Sequence, residues 1–168
     1  MCFSRKMGVA IALSLLILFG FSSCDGRTAD DFYEAGRRSS QGLGVSRDYS
    51  AAFESYGKAA EMGHPLAMYE IGRMYYNGIG VGMNRAEAFK WLHQAAEAGI
   101  ADAMAAVGEM YYSGDGVGQD YAKSFDWLSR AADAGSYSVF DRLGLMCYEG
   151  FGTQKDRSKA LAWLLRAA

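Results

Sequence analysis

The sequence AEAFKWLHQAAEAG at residues 86–99 recurs 36 residues later as AKSFDWLSRAADAG at residues 122–135. The same shift carries IGRMYYNG at 71–78 onto VGEMYYSG at 107–114, and a second shift carries it onto LGLMCYEG at 143–150. No insertion or deletion is needed. A fixed period of this length is the signature of an architecture in which similar units stack on one another. The sequence therefore predicts a repeat domain in which each unit contacts mainly its neighbours.

Each unit contains the pattern of two helices, which we call helix A and helix B. Apolar residues recur at spacings of three and four, as at Ala88, Trp91, Leu92 and Ala95, which is typical of an amphipathic helix. Residues that can cap the start of helix B stand at one repeat position, namely Asp48, Asn84, Asp120 and Asp156. Glycines that can end it stand at another, namely Gly63, Gly99 and Gly135. The pattern predicts an all-α fold of helix pairs.

The repeat resembles the Sel1-like repeat, a relative of the tetratricopeptide repeat. The third unit carries the family's pattern almost throughout, at Ala103, Val107-Gly108, Tyr111, Gly114, Gly116-Val117, Asp120, Lys123, Trp127, Arg130-Ala131-Ala132 and Gly135. The resemblance implies a right-handed α/α solenoid superhelix with a period of 36 residues. It divides the chain into units at 29–64, 65–100, 101–136 and 137–168, the first degenerate and the last truncated.

By resemblance to tetratricopeptide repeats, helix A lines the concave groove of the solenoid and binds a partner there. The implied groove residues are Tyr33, Arg37, Tyr69, Arg73, Tyr76, Glu109, Tyr112, Asp141, Leu145 and Tyr148. Tyrosine and arginine are favoured at interfaces because each combines a large contact area with a polar end. The alternative is that the tyrosines only pack between repeats. The leading hypothesis is an adaptor that binds a peptide or protein partner, has no cofactor and is not an enzyme.

Residues 1–23 have the layout of a signal peptide, with basic residues before an apolar run at 8–21. That run is shorter than the about 20 residues that a transmembrane helix needs. The segment SSC at 22–24 resembles the lipobox of bacterial lipoproteins, which implies an acylated Cys24, a short tether at 24–28 and a protein that faces the periplasm. In the rule for enteric bacteria, Asp25 implies retention at the inner membrane. Ordinary cleavage that leaves Cys24 as a free thiol is the alternative.

Charge and cysteine content exclude other classes of protein. Cleavage after residue 23 removes two of the 17 basic residues and leaves 19 acidic ones, a formal charge of −4. A nucleic-acid binder would need a basic surface. The only cysteines left would be Cys24 and Cys147, too few for a domain held together by disulfides.

The motifs that could carry catalysis have simpler explanations. The Gly-rich segments at 78–82 and 114–118 follow helices in successive units, so they predict inter-helix turns rather than phosphate loops. His64 and His93 stand at different repeat positions and predict no metal site. The alternative function is a secreted hydrolase of β-lactam or peptidoglycan type, as in cysteine-rich Sel1-like relatives. Ala96 and Ala132 stand where the cysteines of those relatives would be expected.

Two features of the fourth unit leave alternatives open. Cys147 replaces the tyrosine of the preceding units and is either a buried thiol or a redox-sensitive one. Helix B of this unit carries Leu161, Leu164 and Leu165, and exposed apolar side chains of this kind usually mark an interaction surface. We expect either self-association through these leucines or a chain that is truncated.

Overall fold

The computed structural model describes residues 26–167, a range that contains α-helices and no β-strand. The helices are α1 (Ala29–Gln41), α2 (Tyr49–Glu61), α3 (Pro65–Asn77), α4 (Arg85–Glu97), α5 (Ala101–Ser113), α6 (Tyr121–Asp133), α7 (Phe140–Glu149) and α8 (Arg157–Ala167), with a 3-10 turn at Tyr137–Val139. Each A helix packs on the B helix that follows it, and each B helix packs on the next A helix. The predicted all-α solenoid is therefore confirmed.

Two sequence-based predictions concern residues outside this range. The export segment at 1–23 and the acylated Cys24 both lie outside the described residues, so both stay predictions. None of the helices within residues 26–167 combines the length and the apolar character that a membrane span requires.

Side-chain caps fix where the B helices begin. Asp48, Asn84 and Asp120 each accept a hydrogen bond from a backbone N–H in the first turn, at 2.9, 3.1 and 3.0 Å. Asp156 accepts the equivalent bond from the Lys159 N–H at 3.0 Å. A cap of this kind satisfies a backbone donor that the helix itself leaves free, and it contributes about 1 kcal/mol. The predicted starts of the B helices are confirmed.

The core lies where helix A of a unit crosses helix B of the same unit. Gly72 and Gly108 are buried in the A helices, and a Cβ at either position would lie 2.6 Å from Cγ of Leu92 or Leu128 respectively. Glycine costs about 1 kcal/mol relative to alanine inside a helix. Close packing of the buried leucine offsets this cost, because only a glycine lets the two helices come so near.

The tryptophans share one repeat position, and each packs against the core. Trp127 is buried, whereas Trp91 and Trp163 are half-buried. The Trp127 ring centroid lies 5.2 Å from that of His93 and 3.9 Å from the Arg130 guanidinium. Their common position therefore reflects packing rather than an aromatic ligand cage.

Candidate functional site

Clefts lie along the A helices, where side chains of consecutive A helices leave gaps between them. In the described part of the chain, one of about 210 Å³ lies between α1 and α3, one of about 400 Å³ between α3 and α5, and one of about 260 Å³ between α5 and α7. We call them the first, central and third clefts, and together the groove. Arg73 lines both the first and the central cleft, and Glu109 lines both the central and the third. The clefts therefore follow one another along the solenoid.

The central cleft brings together four of the residues that the sequence predicts for the groove. Its lining residues are Tyr69, Arg73, Tyr76, Asn77, Leu92, Ala106, Glu109, Met110, Ser113 and Asp115. The four predicted ones come from α3 and α5, where spacings of three and four residues place side chains on one face of a helix. The lining combines an apolar floor with polar groups, which is typical of recognition sites.

One wall of the central cleft is held by a contact between repeats. The Tyr76 hydroxyl donates a hydrogen bond to Asp115 Oδ2 at 3.0 Å, and the Arg85 guanidinium lies 3.5 Å from the Tyr76 ring centroid. Arg85 Nη1 is buried and makes no hydrogen bond among the described residues, so the ring face is a main contact of this cation. Burial, assisted by the neighbouring Asp115, raises the pKa of the Tyr76 hydroxyl. Tyr76 is therefore a fixed wall that remains a hydrogen-bond donor at neutral pH.

The same face of α3 carries an accessible cation. The Arg73 side chain is 53% exposed, and its Nη1 lies 3.4 Å from a Glu70 carboxylate oxygen. Burial raises the pKa of the Glu70 carboxyl, and the nearby Arg73 offsets only part of this effect. The Tyr69 ring lies 5.6 Å from the Arg73 guanidinium, and burial raises the pKa of its hydroxyl. More than half of the Arg73 side chain is therefore open to solvent, and its ion pair with Glu70 is long, at 3.4 and 3.5 Å to the two carboxylate oxygens.

The third cleft contains an ion pair between repeats. Arg142 Nε donates a hydrogen bond to Glu109 Oε1 at 2.9 Å, and this bond is the largest cause that raises the pKa of the guanidinium. The predicted groove residues Asp141 and Leu145 line the same cleft. The Glu109–Arg142 pair joins α5 to α7, so the charge of Glu109 is largely engaged.

The other predicted groove residues make different contacts. Tyr112 packs between repeats, with its ring centroid 5.2 Å from that of Tyr121 and 4.3 Å from the Arg142 guanidinium. Tyr148 is exposed on α7, with Lys155 and Arg157 over its ring. Tyr33 stacks on His64 at 4.5 Å. Arg37 pairs with Glu34 at 2.7 Å. None of these four residues is among those that line the three clefts.

Sequence reasoning missed Asp115, Asn77, Ala106 and Ser113. The signal for Asp115 was visible in the repeat, because the equivalent positions hold the apolar residues Ile79 and Phe151. A single acidic residue at an otherwise apolar position of an inter-helix turn indicates a local role. The signal for Ala106 was the lack of a charged side chain, since charged residues occupy the equivalent positions in the other units.

The remaining residues to consider for chemistry in the described range are possible metal ligands and the cysteines. Among residues 26–167, no group of three or more His, Cys, Asp or Glu side chains could hold a metal ion. Cys147 is free and buried, and burial raises the pKa of its thiol, as expected for a core cysteine rather than a reactive one. Ala96 and Ala132, which stand where cysteine-rich relatives would have cysteines, are buried in the core.

The fold and its groove define a helical-repeat protein of the solenoid class, and comparison with known proteins gives the family. The family model described as Sel1 repeat matches residues 33–64, 65–100, 101–136 and 141–168. The chain belongs to the Sel1 repeat family. Repeats of this family typically mediate protein–protein interaction. A search of curated proteins finds no significant match.

Solved structures share the fold over most of this chain. A protective antigen of uropathogenic Escherichia coli strains, which displays an SLR fold, is 35% identical with a TM-score of 0.81 over 83% of this chain and 30% of its own. A Sel1 repeat protein from Oxalobacter formigenes is 29% identical with a TM-score of 0.81 over 94% of this chain and 63% of its own. The chain therefore spans less than two thirds of the length of either protein.

Proposed function

We propose that this protein is an adaptor that binds an extended segment of a partner protein in the groove and is held at a membrane by a lipid on Cys24. The observation that carries the first part is the row of adjacent clefts along the A helices, in which the central cleft is larger than the two beside it. An extended peptide can place successive side chains in successive clefts. Its main chain then runs past Tyr69, Arg73 and Glu109.

The first test uses Tyr69, which lines the central cleft and makes no hydrogen bond within the described residues. Interface tyrosines often contribute more than 1 kcal/mol to binding. Tyr69→Ala should therefore weaken partner binding about five- to thirtyfold. Replacing Tyr69 with a photoreactive phenylalanine in cells should give a discrete crosslinked adduct, which electrophoresis and mass spectrometry would detect.

The matched control is Tyr137, which is 75% exposed and lies outside the lining of the three clefts. A photoreactive residue there should give no adduct of that size, and Tyr137→Ala should leave partner binding unchanged. Identical adducts from both positions would show that capture is nonspecific and would contradict a groove site. Circular dichroism of both alanine variants should match the parent.

The membrane anchor is the second part of the proposal, and it rests on the sequence at 22–25. If Cys24 is acylated, Cys24→Ala should lose all labelling by a fatty-acid probe and should keep its signal peptide, because the modified cysteine defines the cleavage site. Cys147→Ala is the control, since that cysteine is buried in the repeat domain and should not affect labelling. Equal labelling of Cys24→Ala and the parent would refute lipidation. The periplasm-facing location, with inner-membrane retention through Asp25, is part of the same proposal.

A further part of the proposal is self-association through α8. Leu161, Leu164 and Leu165 are 58%, 44% and 68% exposed on this helix. Exposed apolar side chains that lie together favour association. No observation favours the alternative of a β-lactam or peptidoglycan hydrolase, and we do not propose it.

A further inference from the structure

The A helices follow a charge register that is interrupted at the central junction. Glu109 on α5 and Arg142 on α7 are 33 positions apart and pair across their junction at 2.9 Å, which defines the register. The same register gives Arg37 and Glu70 on α1 and α3, which have opposite charges, although each forms its ion pair within its own helix. Between α3 and α5 it gives Arg73 and Ala106. Arg73 therefore lacks the acidic residue that the register would place opposite it.

Ala106 also accounts for the size of the central cleft. The equivalent residues in the other units are Glu34, Glu70 and Arg142, whose long side chains extend over the A-helix surface. Ala106 lines the central cleft with only a methyl group. The cleft of about 400 Å³ at this junction exceeds the neighbouring clefts of about 210 and 260 Å³. The presence of alanine where the other units have a charged residue thus removes a charge and leaves space beside Arg73.

The other charges at the cleft are engaged more closely than Arg73. Glu109 accepts a hydrogen bond from Arg142, and Asp115 accepts one from the Tyr76 hydroxyl at 3.0 Å. Arg73 Nη1 lies 3.4 and 3.5 Å from the two Glu70 carboxylate oxygens, farther than the 2.7 Å of the equivalent Arg37–Glu34 pair. A guanidinium can form two parallel hydrogen bonds with a carboxylate, which makes an added carboxylate the best-matched ligand.

We propose that the central cleft recognises an acidic side chain, aspartate or glutamate, in the extended partner segment, and that its carboxylate pairs with Arg73 in the space that Ala106 leaves. This inference rests on the proposed function, because it names the chemistry of the segment bound in the groove. The Tyr69 and Tyr76 rings line the same cleft, and the Arg73 guanidinium lies 5.6 Å from the Tyr69 ring centroid.

The test is a selection from a phage-displayed library of random dodecapeptides with the purified full chain as bait. Peptides enriched by the parent should share an aspartate or glutamate at one position. Replacing that residue with its amide should weaken the selected peptide about ten- to a hundredfold in fluorescence anisotropy, the range for a hydrogen bond to a charged group. Arg73→Glu should instead enrich lysine or arginine at that position.

Ala106→Glu is the sharpest variant, since it restores the register and fills the cleft. It should weaken the selected peptide by a similar factor, and its melting temperature should stay near that of the parent because glutamate occupies the equivalent positions 34 and 70. If it unfolds, Arg73→Glu decides the question. Lys90→Glu, a charge reversal on α4 at a side chain that is 63% exposed, is the matched control and should bind as the parent does.

The outcomes separate this inference from the function on which it rests. Peptides that bind the parent without an acidic preference, or that bind Ala106→Glu as tightly as the parent, would overturn the acidic-side-chain proposal and leave the groove function standing. If the parent enriches no peptide above the bare support, the proposed groove function fails and the inference fails with it.

Discussion

Replacing Leu128 with alanine is expected to lower the free energy of unfolding by about 2–5 kcal/mol, the range for truncating a fully buried leucine. Leu128 is 0% exposed and lies against Gly108, where helix A and helix B of the third unit cross. It belongs to the main cluster of buried side chains, so its truncation leaves a cavity in the core. Urea unfolding followed by circular dichroism would measure the change.

The matched control is Leu164→Ala, at the equivalent position of the fourth unit. Leu164 also lies against a helix A glycine, Gly144, but it is 44% exposed. Because part of its surface is already in water, its truncation should cost less than about half as much as the truncation of Leu128. Equal costs for the two leucines would mean that burial in the folded structure does not determine their contributions.

The fold could be predicted from the sequence because the residues that determine it recur at a fixed spacing. The repeat has a spacing of 36 residues. The residues that define it act locally: Asn84 and Asp120 cap single helices, and Gly72 and Gly108 let adjacent helices pack closely. Local signals of this kind are repeated, so each unit supports the assignment of the others. The end of the chain deviates only slightly, since α7 is preceded by a 3-10 turn at Tyr137–Val139.

The groove could be predicted only in part, because its details depend on positions that differ between units. Tyr76 and Tyr112 occupy the same repeat position, yet Tyr76 lines the central cleft whereas Tyr112 packs against Tyr121. The two tyrosines differ in their surroundings because a different residue stands 39 positions after each of them. It is Asp115 for Tyr76, which accepts a hydrogen bond, and Phe151 for Tyr112, which adds an aromatic contact at 6.3 Å.

The A helices and the B helices have different roles, which follow from these contacts. The B helices α2, α4 and α6 are each covered by the A helix of their own unit and by the A helix of the next, so their repeated apolar pattern is used for stability. The A helices contact each other mainly through side chains, and this leaves room for clefts between them. A residue on an A helix that differs from its equivalents in the other units, such as Ala106, can therefore change the groove without disturbing the stacking that holds the solenoid together.

Gly116→Ala is expected to destabilise the protein by about 2–5 kcal/mol, through two separate effects. Gly116 has φ of +71°, a conformation that costs a residue with a Cβ about 1–2 kcal/mol. An added Cβ would also meet the backbone of the preceding unit, at 3.0 Å from the Ala86 nitrogen and closer still to the Arg85 carbonyl. Backbone atoms at the start of α4 cannot yield as a side chain would, so the turn or the stacking must shift.

Gly44→Ala separates the two effects, because Gly44 occupies the same position in the first unit. Its φ is +76°, but an added Cβ would meet nothing within 4 Å. The variant should therefore cost only the conformational part, about 1–2 kcal/mol. The difference between the two variants in urea unfolding then reports the contact between stacked units. Since the turn that contains Gly116 also carries Asp115, Gly116→Ala should in addition weaken groove binding, whereas Gly44→Ala should not; equal destabilisation by both variants would mean that the turns do not contribute to stacking.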